Sequence, residues 1–221
     1  KRISIMIKAD HKKWAEFVFD IYLRRLLKKS FYDFRIINEL PVFDYSKSII
    51  VTPNHFSWWD GFFIYWANKK LFSKKLYVLM LEEQLKRYWF FKKLGCYSID
   101  LNDSRKMTAS LKYTMDLLLN SNNFITIYLQ GEIQSYEQRP VNLRDGIDFL
   151  AKKSKVDFQI FPVAFKIHYT NERLPILYAR FGKLLNSKDV AVNPQIFKEE
   201  FINNLDLINS EYSTSNFKSI L

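Results

Sequence analysis

The sequence predicts an α/β fold, with a mostly parallel or mixed central sheet flanked by helices and an amphipathic helix at the N-terminal end. Three observations carry this expectation. Short apolar runs alternate with longer helical stretches after Pro41. Several of those runs are apolar throughout instead of at every second position, as strands buried on both faces are. The 221 residues are 48% hydrophobic with only 5 Gly and 6 Pro, enough for one sizeable core and unlike disordered, collagen-like or linker-rich sequence.

The first element is a helix from about Asp10 to Ser30, where Trp14, Phe17, Val18, Ile21, Tyr22 and Leu26 recur at helical spacing and Lys13, Glu16, Asp20 and Arg24 take the other side. Such a helix either packs on a core or lies in a membrane interface. The flanking Lys12, Lys13, Arg24, Arg25, Lys28 and Lys29, with the aromatic residues, favour the interface. Residues 1–40 are therefore read as a membrane-docking segment and 41–221 as the α/β domain. Strands are expected at Ser48–Thr52, Leu76–Met80, Phe124–Leu129, Phe158–Ile167 and Leu174–Phe181, with Pro162 marking an interruption or a sheet edge. Helices are expected at Trp58–Asn68, Glu82–Lys93, Ser104–Leu119 and Leu143–Lys153. A last helix from Pro194 carries Ile196, Phe197, Phe201, Leu205 and Ile208 as its apolar positions.

A formal net charge of +11 implies an anionic partner, either nucleic acid or anionic lipid. The charge is uneven: Lys1–Lys29 holds nine Lys or Arg against three acids, whereas Gln195–Leu221 holds two against four. Cys96 is the single cysteine, so neither an intrachain disulfide nor a cysteine-based zinc site can form, and a reducing, cytoplasmic setting is expected. No apolar run reaches the roughly 18–20 residues a spanning helix needs, and no secretory leader is recognisable, so a peripheral or monotopic association is expected.

The segment Val51-Thr-Pro-Asn-His-Phe-Ser-Trp-Trp-Asp60 follows the strand Ser48–Thr52 directly. His55 and Asp60, five positions apart, would point about 140° away from each other on a continuous helix. They meet if His55 lies in the turn leaving the strand and Asp60 in the first turn of the next helix. A histidine there serves as a base near neutral pH, and a carboxylate on its other ring nitrogen fixes the tautomer and stabilises the imidazolium. Ser57 to Asp60 also reads as a helix-capping box, with the carboxylate reaching back to the start of the helix.

The stretch Asn54-His-Phe-Ser-Trp-Trp-Asp60 resembles the N-H-x-x-x-x-D signature of the glycerolipid acyltransferase family, which includes the 1-acylglycerol-3-phosphate acyltransferases. Gly95-Cys-Tyr-Ser-Ile-Asp100, Gln130-Gly131-Glu132 and Phe161-Pro-Val-Ala-Phe165 are similar to its second, third and fourth blocks, in the same order. The resemblance implies an α/β domain behind a membrane-binding helix, an acyl-CoA or acyl-carrier-protein donor, and attack of an acceptor hydroxyl on the thioester. It also implies that no metal or other cofactor is needed. By carry-over His55 is the base and Asp60 its partner, and Asn54, Gln130, Gly131 and Glu132 are expected to contact substrate.

Two departures bear on the acceptor. Leu101 and Ile133 stand where related acyltransferases commonly carry arginines associated with the acceptor phosphate. Arg139 is the candidate to supply that charge instead, with Arg105 a second. An O- or N-acyltransferase acting on a non-phosphate acceptor such as a glycolipid, aminolipid or pigment is the alternative, and an inactive membrane-binding module is the non-enzymatic one. Aromatic residues interleave with cations over Arg87–Lys93, a pattern that also suits single-stranded nucleic acid. No nucleic-acid-binding motif accompanies it, so the expected partners are an anionic membrane surface, a lipid acceptor and the acyl donor.

Overall fold

A computed structural model describes residues 6–212 and 216–221. In chain order the elements are α1 (Lys13–Ser30), β1 (Asp33–Ile36), β2 (Ser48–Pro53), α2 (Asp60–Ala67), β3 (Lys75–Leu81), α3 (Glu82–Arg87), β4 (Cys96–Ile99), α4 (Ser104–Leu118), β5 (Asn123–Thr126), α5 (Gly146–Lys153), β6 (Phe158–His168), β7 (Ile176–Phe181), β8 (Leu185–Asn186), α6 (Ser187–Val192), α7 (Gln195–Glu211) and β9 (Lys218–Ser219). The strands form one mixed sheet in the order β4-β3-β5-β2-β6-β7-β1-β9, with β8 added to β6. Strand β2 lies between β5 and β6 and runs parallel to both, and β3 is parallel to β4 and β5. Strand β7 returns antiparallel to β6, and β1 runs parallel to β7.

The apolar runs have the reason the sequence suggested, because helices cover both faces of the sheet. All six positions of β2 are buried. Ile49 and Val51 enter one core with Phe19, Phe63 and Phe161, while Ile50 enters the other with Ile125, Ile160 and Phe201. Alternate side chains of a strand point to opposite faces, so each needs an apolar partner.

Helix α1 carries a second apolar row besides the expected stripe. It buries Ala15, Phe19, Leu23 and Leu27, an i, i+4 row against the core, whereas Trp14, Phe17, Val18, Ile21 and Tyr22 remain exposed. The helix is thus apolar on two faces. Packing is also continuous across the expected boundary at residue 41, since β1 is paired into the sheet and α1 shares the core of β2 and α2.

Two further expectations change. Strand β6 is neither interrupted nor at an edge: Pro162 pairs with Thr52 of β2 inside the sheet. On its other flank β8 ends at Ile160 and β7 begins at Val163, so the missing proline N–H falls in the gap between two partners, and the Pro162 carbonyl accepts from Gly182 N–H at 2.8 Å. The expected helix Glu82–Lys93 breaks at Tyr88 into α3 and a 3₁₀ segment, Trp89–Leu94.

Just before α1, His11 packs edge-on against Tyr77 at 4.9 Å, and its Nδ1 lies 2.9 Å from Glu16 Oε1. Burial holds its pKa below the ordinary 6.5, with the Glu16 hydrogen bond opposing. Below pH 6.5 the unfolded chain therefore takes up a proton that the native state refuses. Stability present above that pH is lost as pH falls through the folded value. Thermal melts from neutral pH down to about pH 5 should show this slope weakened in His11→Gln, and identical slopes would contradict it.

Candidate active site

Ligand sites in parallel sheets lie beyond the carboxyl ends of the strands. Here β2 ends at Pro53, and the next residue continues the ladder by its side chain. Asn54 Nδ2 donates to the Phe165 carbonyl at 3.0 Å, and Asn54 Oδ1 accepts from Phe165 N–H at 2.7 Å. Both halves of this buried amide are spent on β6, and Asn54 does not line the cavity described below. It anchors the turn that carries His55.

The loop after β5 holds that turn from the other side. Gln130 Oε1 accepts from His55 N–H at 2.5 Å, Gln134 N–H donates to the His55 carbonyl at 2.9 Å, and Gln130 Nε2 donates to Gln134 Oε1 at 3.0 Å. A carboxylate at 130 has no donor for the last of these bonds, so the amide suits a glutamine at 134. Gly131 follows at φ 77°, the left-handed region that costs glycine least.

His55 Nδ1 lies 2.9 Å from Asp60 Oδ2. The same oxygen accepts from Phe56 N–H at 2.8 Å and Ser57 N–H at 2.9 Å, while Ser57 Oγ accepts from Trp59 N–H at 3.1 Å. The two readings of Asp60 therefore coincide in one atom: it closes the turn ahead of α2 and it binds the imidazole. An ionised oxygen facing two N–H donors requires Nδ1 to be the third donor, which leaves Nε2 as the basic nitrogen. Asp60 is fully buried. Burial pushes its carboxyl up, opposed by hydrogen bonds from His55 and the Ser57 and Phe56 amides. The ring of Tyr128 lies against His55 at 4.5 Å, and its buried hydroxyl finds no protein partner among the described residues.

His55 opens onto a cavity of about 760 Å³, within the range of small-molecule sites. Gly131, Glu132, Leu101 and Ile133 border it, and Val78, Met80, Phe91, Cys96, Leu111 and Phe149 are among its apolar walls. Phe19 of α1 also lines it. Burial pushes the Cys96 thiol up to about 12, so it is not a nucleophile near neutral pH.

The structure thus brings together His55, Asp60, Gln130, Gly131 and Glu132, with Asn54 and Gln130 acting on the backbone that carries His55. Arg139 is elsewhere. Its guanidinium donates to the Tyr136 and Gln138 carbonyls at 3.2 and 2.9 Å and reaches Asp206 at 3.4 Å, and it does not line the cavity. Arg105 does not line it either. The sequence reading overlooked Gln134, Tyr128 and Arg144. Gln134 and Tyr128 flank Gln130 closely enough that the strand-to-loop geometry could have suggested them, whereas no local pattern marks Arg144.

Comparison with known proteins gives the family and a similar fold. The sequence profile of the acyltransferase family matches residues 33–166, more than half of the chain. No curated protein sequence matches. Among solved structures the fold is similar to the 1-acyl-sn-glycerophosphate (LPA) acyltransferase PlsC from Thermotoga maritima, with a TM-score of 0.56 at 15% identity, over 87% of this chain and 80% of that one. With its sheet, its His-x-x-x-x-Asp turn and the matched profile in agreement, the chain belongs to the acyltransferase family.

Proposed function

We propose that the protein moves a fatty acyl group from an acyl thioester, carried by coenzyme A or an acyl-carrier protein, to the hydroxyl of a lysophospholipid-like acceptor, with His55 as general base and Asp60 as its partner. The carrying observation is that His55, held by the buried Asp60, borders a large, mainly apolar cavity. In this reading the cavity takes the acyl chain and sets its thioester carbonyl beside the acceptor hydroxyl, which is hydrogen-bonded to Nε2. The acceptor hydroxyl gives its proton to Nε2 as its oxygen bonds to the carbonyl carbon. The tetrahedral adduct then expels the thiolate, which recovers the proton from the imidazolium. Asp60 stabilises that transient cation. Leu101 and Ile133 on the cavity border favour a second reading, a non-phosphate acceptor used by the same chemistry. Incubating the purified protein with an acyl thioester and either lysophosphatidate or a neutral glycolipid, with product lipids followed by mass spectrometry, tests both. Absence of any acyl ester would overturn the activity.

The same reading has the protein lie on the anionic, cytoplasmic face of a membrane through α1. No helix among the described residues is long and apolar enough to cross a membrane. Trp14 and Phe17 are 55% and 66% exposed, and Trp14 adjoins Phe90, which in turn adjoins Trp89. Lys93 lies over both indole rings. Lys13, Arg24, Arg25, Lys28 and Lys29 are exposed around this surface. Indoles and cations in this arrangement suit the headgroup layer. Deleting α1 would uncover the core, so point substitutions are the cleaner test. Reversing Arg24, Arg25, Lys28 and Lys29 should weaken sedimentation with phosphatidylserine vesicles by about 1 kcal/mol per cation. Trp14→Ser with Phe17→Ser should do the same in a way that added salt does not reproduce. Unchanged sedimentation in both would contradict docking through α1.

A further inference from the structure

One side chain on the cavity border has no part in the chemistry above. Arg144 is the sole lysine or arginine among the described residues lining the cavity, whose other charged residues are Glu132 and Asp145 beside the titratable His55. Asp145 is engaged by Lys198 at 3.0 Å. The Arg144 guanidinium is exposed and makes no hydrogen bond or ion pair with the described residues, so its N–H donors face solvent and are open to a ligand. Its location is nevertheless defined. The Arg144 backbone N–H donates to the Leu129 carbonyl at 2.9 Å, and the side chain lies across Gly131. A Cβ on Gly131 would stand 2.2 Å from Arg144 Nε and 3.0 Å from its Cδ, so the absent side chain makes room for the arginine.

A guanidinium with solvent-facing donors at the rim of a mainly apolar cavity is suited to a bidentate oxyanion, and phosphate matches its fork. Gln130 and Gln134 tie the same loop to His55, so an anion held by Arg144 is registered against the base. We propose that Arg144 is the specificity-determining cation of the site, holding a phosphate of the substrate beside His55 where Leu101 and Ile133 offer none. This rests on the acyl-transfer reading above. The phosphate belongs either to the acceptor headgroup or to the phosphopantetheine arm of the donor, and the acceptor is favoured because Arg144 overlies the loop that clamps His55.

Two readouts on the whole chain separate the outcomes. The first is binding of lysophosphatidate and of monoacylglycerol, followed by the fluorescence of Trp58 in the cavity wall. The second is kcat/KM for each as acceptor with one acyl-CoA donor. Arg144→Ala should weaken lysophosphatidate binding and lower its kcat/KM roughly tenfold to a hundredfold, with a much smaller effect on monoacylglycerol, and Arg144→Lys should recover part of the loss. Gly131→Ala, which displaces the guanidinium, should narrow the same preference. A rise confined to the KM of the donor, with acceptor preference intact, supports the phosphate contact and assigns it to the donor arm. Wild-type discrimination retained in Arg144→Ala, with donor KM also unchanged, overturns the proposal while leaving acyl transfer standing. Arg144-dependent lysophosphatidate binding without any turnover in the wild type would instead keep this contact and overturn the activity.

Discussion

Replacing His55 with alanine is expected to remove acyl transfer almost entirely while leaving the fold in place. The side chain is 24% exposed, and what fixes this turn is the His55 backbone, bonded to Gln130 and Gln134. Truncation at Cβ touches none of those bonds. It removes the imidazole nitrogen that faces the cavity, and a positioned general base is worth about a hundredfold to ten-thousandfold in rate. Turnover of His55→Ala should fall by that factor, with a thermal midpoint within a few degrees of wild type. Near-normal turnover would remove His55 from the mechanism.

Asp60 is expected to show a split between charge and shape. Asp60→Ala leaves His55 Nδ1 and the Phe56 and Ser57 amides without their common acceptor in a buried setting, a loss of about 1–3 kcal/mol of stability together with activity. Asp60→Asn keeps a carbonyl oxygen that can still accept from the two backbone amides. As a neutral group it cannot stabilise an imidazolium, so turnover should fall at least about a hundredfold while most of the thermal stability survives. Loss of stability alone in Asp60→Asn would reduce Asp60 to a turn-closing residue. Burial raises its carboxyl pKa, so the native state holds this proton more firmly than the unfolded chain does. The resulting contribution is complete below pH 3.8 and fades as pH rises through the folded value, a trend that Asp60→Asn should abolish in stability measurements.

What the sequence revealed follows from how local each signal is. The parallel strands were legible because β2 and β5 are buried on both faces and, with β3, show as short apolar runs. The His55–Asp60 pair was legible because strand, turn and helix start lie within ten residues, close enough for spacing to allow the side chains to meet, and the resemblance of Asn54–Asp60 to the family signature singled the pair out. Strand β1, with only four residues, gained its identity from pairing with β7 some 140 residues later, which no local pattern announces. Helix α1 was legible as a helix and its aromatic stripe is exposed, but the second row Ala15, Phe19, Leu23 and Leu27, which meets the core, went unread because the larger aromatic residues mark the other face. Arg139 was singled out by closeness in sequence to the Gln130–Glu132 block. Arg144, five residues further on, is brought back over Gly131 by its backbone bond to Leu129, a return that depends on the loop closing in three dimensions.

The central claim is direct transfer, with the acceptor oxygen attacking the donor thioester under His55 and no acyl group passing through the protein. Thiol release from an acyl-CoA donor, measured with and without lysolipid acceptor alongside intact-protein mass spectrometry, tests it most directly. The account predicts release that depends on acceptor, matches ester formed one for one, and leaves the protein mass unchanged throughout turnover. Acceptor-independent release accompanied by an acylated protein, with the adduct mapping to Cys96 in the cavity wall, would contradict it.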